Sequence, residues 1–347
     1  MFDRIITSII SSKWIPCPIS ETHSCKVKEL FYKVKQKFIA ANRRLQYAHI
    51  IAYRQPVRAG SRTGRHNSMI IDFHTHIFSP EVCADRALFL NDRQFSLLYD
   101  SGQARLIDHR GLAEAMRSSG VDRAVAMGFP WEREDHCAAQ NDYFRRVREE
   151  SGGVILPFGS VPVNGTADIR TWVRDIKTAG LSGVGEVSFY TDGMSPSNID
   201  LLRRLLASVS NEGLPLCIHV SEPVGHPYPG KYDPGLGELY SAVADHPDAT
   251  VIFSHWGGGL LFYELMPEVK KALANCYYDT AATPYLYSDG IYEAAINIIG
   301  ARKILFGSDF PLLSPGRYLD TIRRCVTEDE SRACILGGNA ARVLTIR

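Results

Sequence analysis

The 347-residue sequence lacks any apolar run of the roughly 18–20 residues that a membrane-spanning helix needs, which argues against an integral membrane protein. The apolar patch near its start follows Asp3 and leads to no small-residue cleavage site, so a secretory signal is not expected. The eight cysteines are scattered and include no C-x-x-C pair. This usage is typical of a reducing compartment and predicts a cytoplasmic protein without a disulfide framework.

No internal repeat, low-complexity segment or extreme composition marks the chain. Apolar residues make up 45% of it and charged residues 22%, which excludes a collagen, a coiled coil and a chain disordered throughout. The length accommodates either one α/β barrel of about 250 residues with an extension, or two mid-sized domains.

The net charge of +1 hides two segments of opposite sign. Residues 1–68 contain 13 Lys and Arg against 3 Asp and Glu, a net of +10, whereas residues 69–347 contain 26 and 35, a net of −9. The basic segment is either an arm for nucleic acid or an anionic membrane, or a weakly ordered, partly helical leader outside the fold. We favour the leader, since the segment has no catalytic pattern and Met69, a candidate translation start, opens directly into a strand. Neither nucleic acid nor a membrane is therefore expected as a partner.

From Met69 onward, short apolar strands alternate with longer amphipathic stretches. Eight such units predict a parallel sheet covered by helices, and eight strands close a (β/α)8 TIM barrel. A doubly wound sheet is the alternative, but its first strand is normally followed by a glycine-rich phosphate turn, where this sequence has His-Thr-His. The predicted strands are Met69–Phe73, Arg123–Met127, Val154–Val161, Val184–Val187, Pro215–His219, Thr250–Ser254, Cys276–Thr280 and Lys303–Gly307. The predicted helices include Ile169–Ala179, Asn198–Glu212, Gly235–Asp245, Gly259–Leu273 and Ser288–Ile299.

Histidine and aspartate residues follow four of these strands, at the rim where barrels place their active sites. His74 and His76 end the first strand and point the same way, because side chains alternate along a strand. His219, His255 and Asp309 end the fifth, sixth and eighth strands. Imidazole and carboxylate groups suit zinc, iron, manganese or nickel, so the rim is predicted to be a metal centre.

These motifs resemble those of the amidohydrolase superfamily. Within it, they are most similar to the amidohydrolase-related group that contains aminocarboxymuconate-semialdehyde decarboxylase, related aromatic-acid decarboxylases and lactone hydrolases. The resemblance covers residues 69–347. The segments that carry it are Asp72-Phe-His-Thr-His76, Ile218-His219, Ser254-His255-Trp-Gly-Gly-Gly259, Phe306-Gly-Ser-Asp309-Phe-Pro311 and Asn339-Ala-Ala-Arg-Val-Leu344.

The resemblance implies one or two divalent transition-metal ions, with zinc favoured and manganese, iron or nickel as alternatives. It assigns metal contact to His74, His76, His219 and Asp309. His255 is implied either to contact a second metal or to act on the substrate.

The fourth strand ends in Gly183-Val-Gly-Glu186, where some superfamily members carry a carboxylated lysine that this chain lacks. TatD-type nucleases, in contrast, have a glutamate that bridges two metals in a similar Gly-x-Gly-Glu setting. Glu186 is therefore a bridging ligand, or a carboxylate that lies beside the ligands, or a member of a salt bridge at the rim.

Loops after the first, fifth and seventh strands are expected to face a small-molecule substrate. Arginine or lysine there could bind a substrate carboxylate, and each such residue could equally be an ordinary solvated charge. The candidate substrate-binding residues are Arg86, Arg105, Tyr228, Lys231, Trp256 and Tyr285.

The leading hypothesis is hydrolysis of an ester, lactone or amide by metal-activated water, with Asp309 transferring protons and His255 assisting at the carbonyl. Non-oxidative decarboxylation of an unsaturated or aromatic acid requires the same ligands and is the alternative. A metal-free barrel that serves as a scaffold is a third reading, which the complete set of rim residues argues against. The sequence leaves homo-oligomer formation open.

Overall fold

The computed structural model describes residues 69–346. The predictions about residues 1–68, including the helical part of the basic segment, lie outside the described residues. Within residues 69–346, no helix combines the length and the apolar character needed to cross a membrane.

Eight parallel strands follow one another in sequence order around the sheet. All eight predicted strands are present and the order matches a (β/α)8 TIM barrel, so the predicted fold is confirmed and the doubly wound alternative is wrong. The strands are β1 Ile71–His76, β2 Arg123–Met127, β3 Ile155–Gly159, β4 Gly183–Val187, β5 Leu216–Ile218, β6 Val251–Phe253, β7 Cys276–Asp279 and β8 Ile304–Leu305.

Backbone hydrogen bonds between the last strand and the first bring the barrel close to complete closure. The Phe73 N–H donates to the carbonyl oxygen of Phe306 at 2.7 Å, and the Asp309 N–H donates to that of His74 at 2.9 Å. Strand β8 is shorter than predicted because Gly307 leaves the ladder, and its N–H donates to the Thr280 hydroxyl at 3.0 Å. The seam therefore ends at residues of the predicted metal centre.

Helices cover the outside of the sheet, with local sequence signals at their ends. The helix Pro196–Glu212 begins after Ser195, whose hydroxyl accepts from the backbone of Asn198, and ends at Gly213 in the left-handed conformation. The remaining α-helices are Pro80–Ala84, Arg93–Tyr99, His109–Ser119, Glu134–Glu150, Ile169–Thr178, Leu236–Ala244, Pro267–Ala272, Thr283–Leu286, Gly290–Ile299, Pro315–Cys325, Asp329–Ala333 and Asn339–Val343. Shorter helical turns of other types are Arg86–Phe89, His255–Leu265, Ala301–Lys303 and Cys334–Gly338.

The prediction of one helix over Gly259–Leu273 is wrong. The chain forms a 3₁₀-type segment, His255–Leu265, and then a separate α-helix, Pro267–Ala272. Met266 between them is extended, with φ −83° and ψ 121°. A residue that precedes proline is driven out of the helical region by the proline ring, so Pro267 accounts for the break.

Apolar side chains fill the barrel below its rim. Phe73 and Phe158 are fully buried there and meet edge to face, with ring centroids 5.7 Å apart. They belong to an interior cluster contributed by β1, β2, β3, β5, β6 and β8, while a larger cluster lies between the sheet and the helices. The polar residues of the rim therefore rest on a close-packed apolar floor.

Candidate metal centre

The two histidines of β1 converge with the aspartate that follows β8. The Nε2 atoms of His74 and His76 are 3.0 Å apart. Asp309 Oδ1 lies 3.1 Å from Nε2 of His76 and 3.7 Å from that of His74. We call these three residues the first donor group.

A second donor group consists of Glu186, His219 and His255, which follow or end β4, β5 and β6. Nε2 of His255 is 3.0 Å from Nδ1 of His219. Glu186 Oε1 lies 3.1 Å from the same Nδ1 atom and 3.4 Å from Nε2 of His255. All three residues are at least nine-tenths buried, so water screens these contacts weakly.

The Glu186 carboxylate extends between the two donor groups. Its Oε1 faces His219 and His255, whereas its Oε2 lies 3.8 Å from Nε2 of His74 and 3.9 Å from Nε2 of His76. Each oxygen therefore has its own pair of imidazoles. This is the arrangement that a carboxylate shared by two cations requires.

Asp279, at the end of β7, contacts both donor groups and was missed by the sequence analysis. Its Oδ2 is 2.7 Å from Nδ1 of His74, and its Oδ1 accepts from the backbone N–H of His255 at 2.9 Å. The signal was present, because Asp279 ends a predicted strand at the same rim as the other candidates. Carboxylates in this position orient metal-binding histidines.

The donor atoms fit a divalent cation. Nδ1 of His74 faces the Asp279 carboxylate, and Nδ1 of His255 lies 3.2 Å from the Ala281 carbonyl oxygen. Both partners only accept hydrogen bonds, so in the neutral form of each imidazole the ring proton lies on Nδ1 and Nε2 offers its lone pair to the centre. Lone pairs and carboxylate oxygens crowded together in this way repel one another until a cation or a proton lies between them.

Both carboxylates of the centre stay ionised despite their burial. Burial opposes ionisation of Glu186, but His219 and His74 outweigh it and hold the pKa of Glu186 well below its usual value. Burial also opposes ionisation of Asp309, but the contacts with His76 and His74 outweigh it, so the pKa of Asp309 is lowered as well. The centre therefore keeps its anionic oxygens at neutral pH.

The pKa values of two histidines of the centre are shifted in the opposite direction, upward. Burial opposes protonation of His255, but the hydrogen bond and charge of Glu186 prevail and raise the pKa of His255 to about 9. Burial is likewise outweighed at His74 by Asp279 and Glu186, and the pKa of His74 lies well above its usual value. Protons and metal ions thus compete for the same nitrogen atoms.

A left-handed turn positions His255. Five consecutive residues, His255–Gly259, have φ between 57° and 94°, and glycine supplies three of them because it lacks a Cβ. A Cβ on Gly258 would lie 2.3 Å from the carbonyl oxygen of Ser221. The turn therefore packs directly against the segment that follows His219.

Two of the predicted substrate-binding cations are engaged with their own loops. The Arg86 guanidinium donates to the carbonyl oxygen of Ala104 at 3.0 Å. Nζ of Lys231 donates to the carbonyl oxygen of Val224 at 2.6 Å. In this structure both side chains hold loop backbone together.

Tyr228 and Trp256 also have protein partners. The Tyr228 hydroxyl donates to Glu222 Oε2 at 3.1 Å. Trp256 is fully buried, and its indole N–H donates to the Thr283 hydroxyl at 2.8 Å. Trp256 therefore packs behind the centre rather than facing its mouth.

Arg105 and Tyr285 remain exposed. The Arg105 guanidinium lies 5.8 Å from the ring centroid of Phe310, the residue after Asp309. Tyr285 is 44% exposed. Of the predicted substrate-binding cations, Arg105 is thus the one that the structure connects to a neighbour of the donor groups.

Two tyrosines beside the second donor group were missed by the sequence analysis. The rings of Tyr190 and Tyr232 lie 5.1 and 5.9 Å from the ring of His219. The Tyr232 hydroxyl donates to the carbonyl oxygen of His219 at 2.9 Å. Both follow strands at the rim, but nothing in the local sequence distinguishes them from other loop tyrosines.

The fold and the rim residues define a (β/α)8 barrel with candidate donor groups for a divalent metal. The chain belongs to the amidohydrolase family, whose model matches residues 71–346. This confirms the predicted superfamily. No curated protein matches the chain.

Solved structures with the same fold include decarboxylases and amidohydrolases. 5-Carboxyvanillate decarboxylase from Sphingomonas paucimobilis is 17% identical with a TM-score of 0.62, covering 81% of this chain and 100% of that one. Dihydroxybenzoic acid decarboxylase from Polaromonas sp. JS666, with bound manganese and the inhibitor 2-nitroresorcinol, is 16% identical with a TM-score of 0.58, covering 80% and 97%. An amidohydrolase from Burkholderia multivorans with bound zinc is 15% identical with a TM-score of 0.54, covering 80% and 100%.

Proposed function

We propose that this protein is a metal-dependent hydrolase that acts on an ester, lactone or amide of a small molecule. The observation that carries the proposal is the position of Glu186, whose two oxygens face two separate pairs of histidines. A carboxylate shared by two cations is a feature of two-metal hydrolytic centres. Decarboxylation, in contrast, needs a proton donor for carbon and no attacking water.

The residues that would hold the ions fall into the two donor groups, with Glu186 between them. His74, His76 and Asp309 would hold one ion, His219 and His255 a second, and Glu186 would contact both. Divalent ions bound there would polarise a substrate carbonyl and lower the pKa of water from about 15.7 to about 7. Zinc suits these nitrogen and oxygen donors, and manganese is the main alternative. The zinc-containing amidohydrolase and the manganese-containing decarboxylase support this choice of metals.

Asp309 is the proposed proton-transfer residue. Its backbone N–H donates to the carbonyl oxygen of His74, and its Oδ1 contacts Nε2 of His76. These two contacts fix the carboxylate at the rim. It would accept a proton as the oxygen of water attacks the carbonyl carbon, and return that proton to the leaving oxygen or nitrogen as the scissile bond breaks. Its lowered pKa keeps it anionic before the reaction.

The mouth of the barrel favours a substrate with a planar or anionic part. Tyr190 and Tyr232 present rings next to His219, and Arg105 lies exposed over Phe310. Arginine can bind a carboxylate through two parallel hydrogen bonds. We propose that Arg105 attracts a carboxylate of the substrate while the tyrosine rings contact its apolar part.

Non-oxidative decarboxylation of an aromatic acid is the second candidate. It is favoured by the decarboxylases among the structures of similar fold, which act on carboxylated phenols by their names. In that case one ion would hold the substrate oxygens and an acid at the rim would protonate the carbon from which carbon dioxide leaves.

The two reactions are distinguished by the fate of solvent oxygen. Metal-loaded protein would be incubated in ¹⁸O-water with aryl esters, lactones, N-acyl amides and carboxylated phenols, while products and released carbon dioxide are measured by mass spectrometry. A hydrolase places ¹⁸O in the carboxylic acid product without releasing carbon dioxide. Carbon dioxide release with proton uptake at carbon would replace the hydrolase proposal with the decarboxylase. The Asp309→Asn variant controls for contaminating enzymes.

A further inference from the structure

Two consecutive residues of β7 hold the turn that carries His255, one from each face of the sheet. On the inner face, Asp279 Oδ1 accepts from the backbone N–H of His255 at 2.9 Å. On the outer face, the Tyr278 ring packs so closely against the turn that a Cβ on Gly257 would lie 2.9 Å from its Cε1 atom. Because side chains alternate along a strand, one short stretch of β7 reaches the turn from two directions.

A buried ion pair fixes the Tyr278 side chain in turn. The Tyr278 hydroxyl donates to Glu264 Oε1 at 2.8 Å. Nζ of Lys303 donates to Oε1 and Oε2 of Glu264 at 2.6 and 2.7 Å, and to the carbonyl oxygen of Leu273 at 2.9 Å. Lys303 thus uses all three of its N–H donors. Tyr278 is fully buried and Glu264 is 2% exposed, so water competes weakly for these hydrogen bonds.

The network fastens the segment that contains the turn to the last two strands. Glu264 lies near the end of this segment, His255–Leu265, and Lys303 immediately precedes β8. Three successive glycines leave the turn itself without side chains that could fix it, so its position depends on the residues packed around it.

Stability alone does not account for a buried ion pair at this place. Taking two charges out of water costs much of what their attraction returns, and apolar side chains of similar volume are often at least as stabilising. Hydrogen bonds to the pair, in contrast, have a direction. Here they specify how the Tyr278 side chain is oriented beneath the turn.

We infer that Tyr278, Glu264 and Lys303 are positioning residues for the second donor group. They act through the turn, which keeps Nε2 of His255 at 3.0 Å from Nδ1 of His219. The inference rests on the proposed function, since it assumes that His255 binds the second ion. It assigns a part in binding that ion to residues on the outer face of the sheet that belong to neither donor group.

The decisive variant removes the ion pair but keeps its packing volume. In the double variant Glu264→Met with Lys303→Met, apolar side chains of similar length replace both charges, so no buried charge is left unpaired. The full chain is freed of metal and titrated with zinc in competition with a chelator, well below the melting temperature. We expect the affinity for the second ion to fall about tenfold, the lower end of the range for outer partners of metal ligands, and that for the first ion to stay unchanged.

Two further measurements support the comparison. His76→Gln and His219→Gln each remove a ligand from one donor group and so assign the two affinities to the two ions. Tyr278→Phe keeps the ring against Gly257 but releases it from Glu264, and should weaken the second ion by less than the double variant does.

The control is the double variant Arg302→Met with Glu330→Met, which removes an exposed ion pair beside Lys303 in the sequence and should leave both affinities unchanged. The melting temperature of each metal-free variant separates positioning from stability, because a merely structural network would lower it without changing either affinity. An unchanged affinity for the second ion in Glu264→Met with Lys303→Met, or an equal loss at both ions, overturns the inference while the proposed function stands. If that variant does not fold, Tyr278→Phe decides by the same criterion. An unaltered protein that binds fewer than two zinc ions overturns the proposed two-ion centre as well.

Discussion

Asp279 and His74 lie 205 residues apart in the chain, yet Oδ2 of the first is 2.7 Å from Nδ1 of the second. The other oxygen of Asp279 accepts from the backbone N–H of His255. One carboxylate on β7 therefore orients an imidazole on β1 and anchors the turn that carries another after β6. The two donor groups are coupled through it.

Replacing Asp279 should weaken metal binding without removing a proposed ligand. In Asp279→Asn the amide can donate to Nδ1 of His74 and so shift the ring proton to Nε2, where an ion would bind. We expect zinc affinity to fall by about 10- to 100-fold in a chelator competition. Asp245→Asn, which alters an exposed carboxylate paired with Arg203, should leave the affinity unchanged. Equal affinities in the two variants would show that Asp279 does not orient His74.

Replacing Glu186 tests the shared carboxylate. Glu186→Gln keeps the shape of the side chain but removes the charge that would attract two ions. Elemental analysis of the unaltered protein, loaded with zinc and freed of excess, should give close to two ions per chain, and Glu186→Gln should give close to one. A stoichiometry that is the same in both proteins would mean that Glu186 lies beside the ligands without bridging them.

Asp309→Asn separates proton transfer from metal binding. The amide keeps the size of the side chain but accepts no proton from water at neutral pH, and positioned acid–base groups contribute roughly 10²- to 10⁴-fold to rate. We expect kcat to fall at least about a hundredfold while the histidines retain most of the metal. Both quantities are measured on one sample, with and without added zinc. Recovery of full activity with excess zinc would assign Asp309 a purely ligating role.

Gly258→Ala should destabilise the fold more than an alanine at another left-handed glycine. Both Gly258, with φ 57°, and Gly213, with φ 63°, disfavour a Cβ by about 1–2 kcal/mol. At Gly258 the new Cβ also meets the Ser221 carbonyl oxygen, whereas at Gly213 no atom lies within 4 Å. Urea unfolding of Gly213→Ala thus measures the backbone cost alone. If the two variants are equally stable, the close approach at Gly258 is relieved without cost.

Much of the fold could be predicted because both faces of a parallel sheet are buried, so its strands are recognisable as apolar runs. His74 and His76 were predicted at the rim because they end the first strand, and they lie there although the register of β1 shifts between Asp72 and Thr75. The same rule applied to Cys276–Asp279 would have identified Asp279. The left-handed turn could not be predicted in this way, because residues other than glycine, such as His255 and Trp256, only rarely adopt positive φ.

Side-chain contacts of the loops limited the rest of the prediction. Trp256 is a predicted substrate-binding residue, and in the structure the left-handed turn buries it against Thr283. Tyr228 is a predicted substrate-binding residue, and its hydroxyl reaches Glu222 within the same loop. Loop side chains choose among several polar partners of similar energy, and the sequence alone does not specify which one is nearest.

The barrel seam joins mechanical and chemical roles in the same residues. Asp309 and His76, whose side chains belong to the first donor group, also make the backbone hydrogen bonds that fasten the end of β8 to β1. A cation held between their side chains would cross-link the first and last strands, in addition to the hydrogen bonds of the ladder. Because a ligand that binds only the folded chain stabilises it, the free energy of unfolding of this barrel would increase with the concentration of free metal.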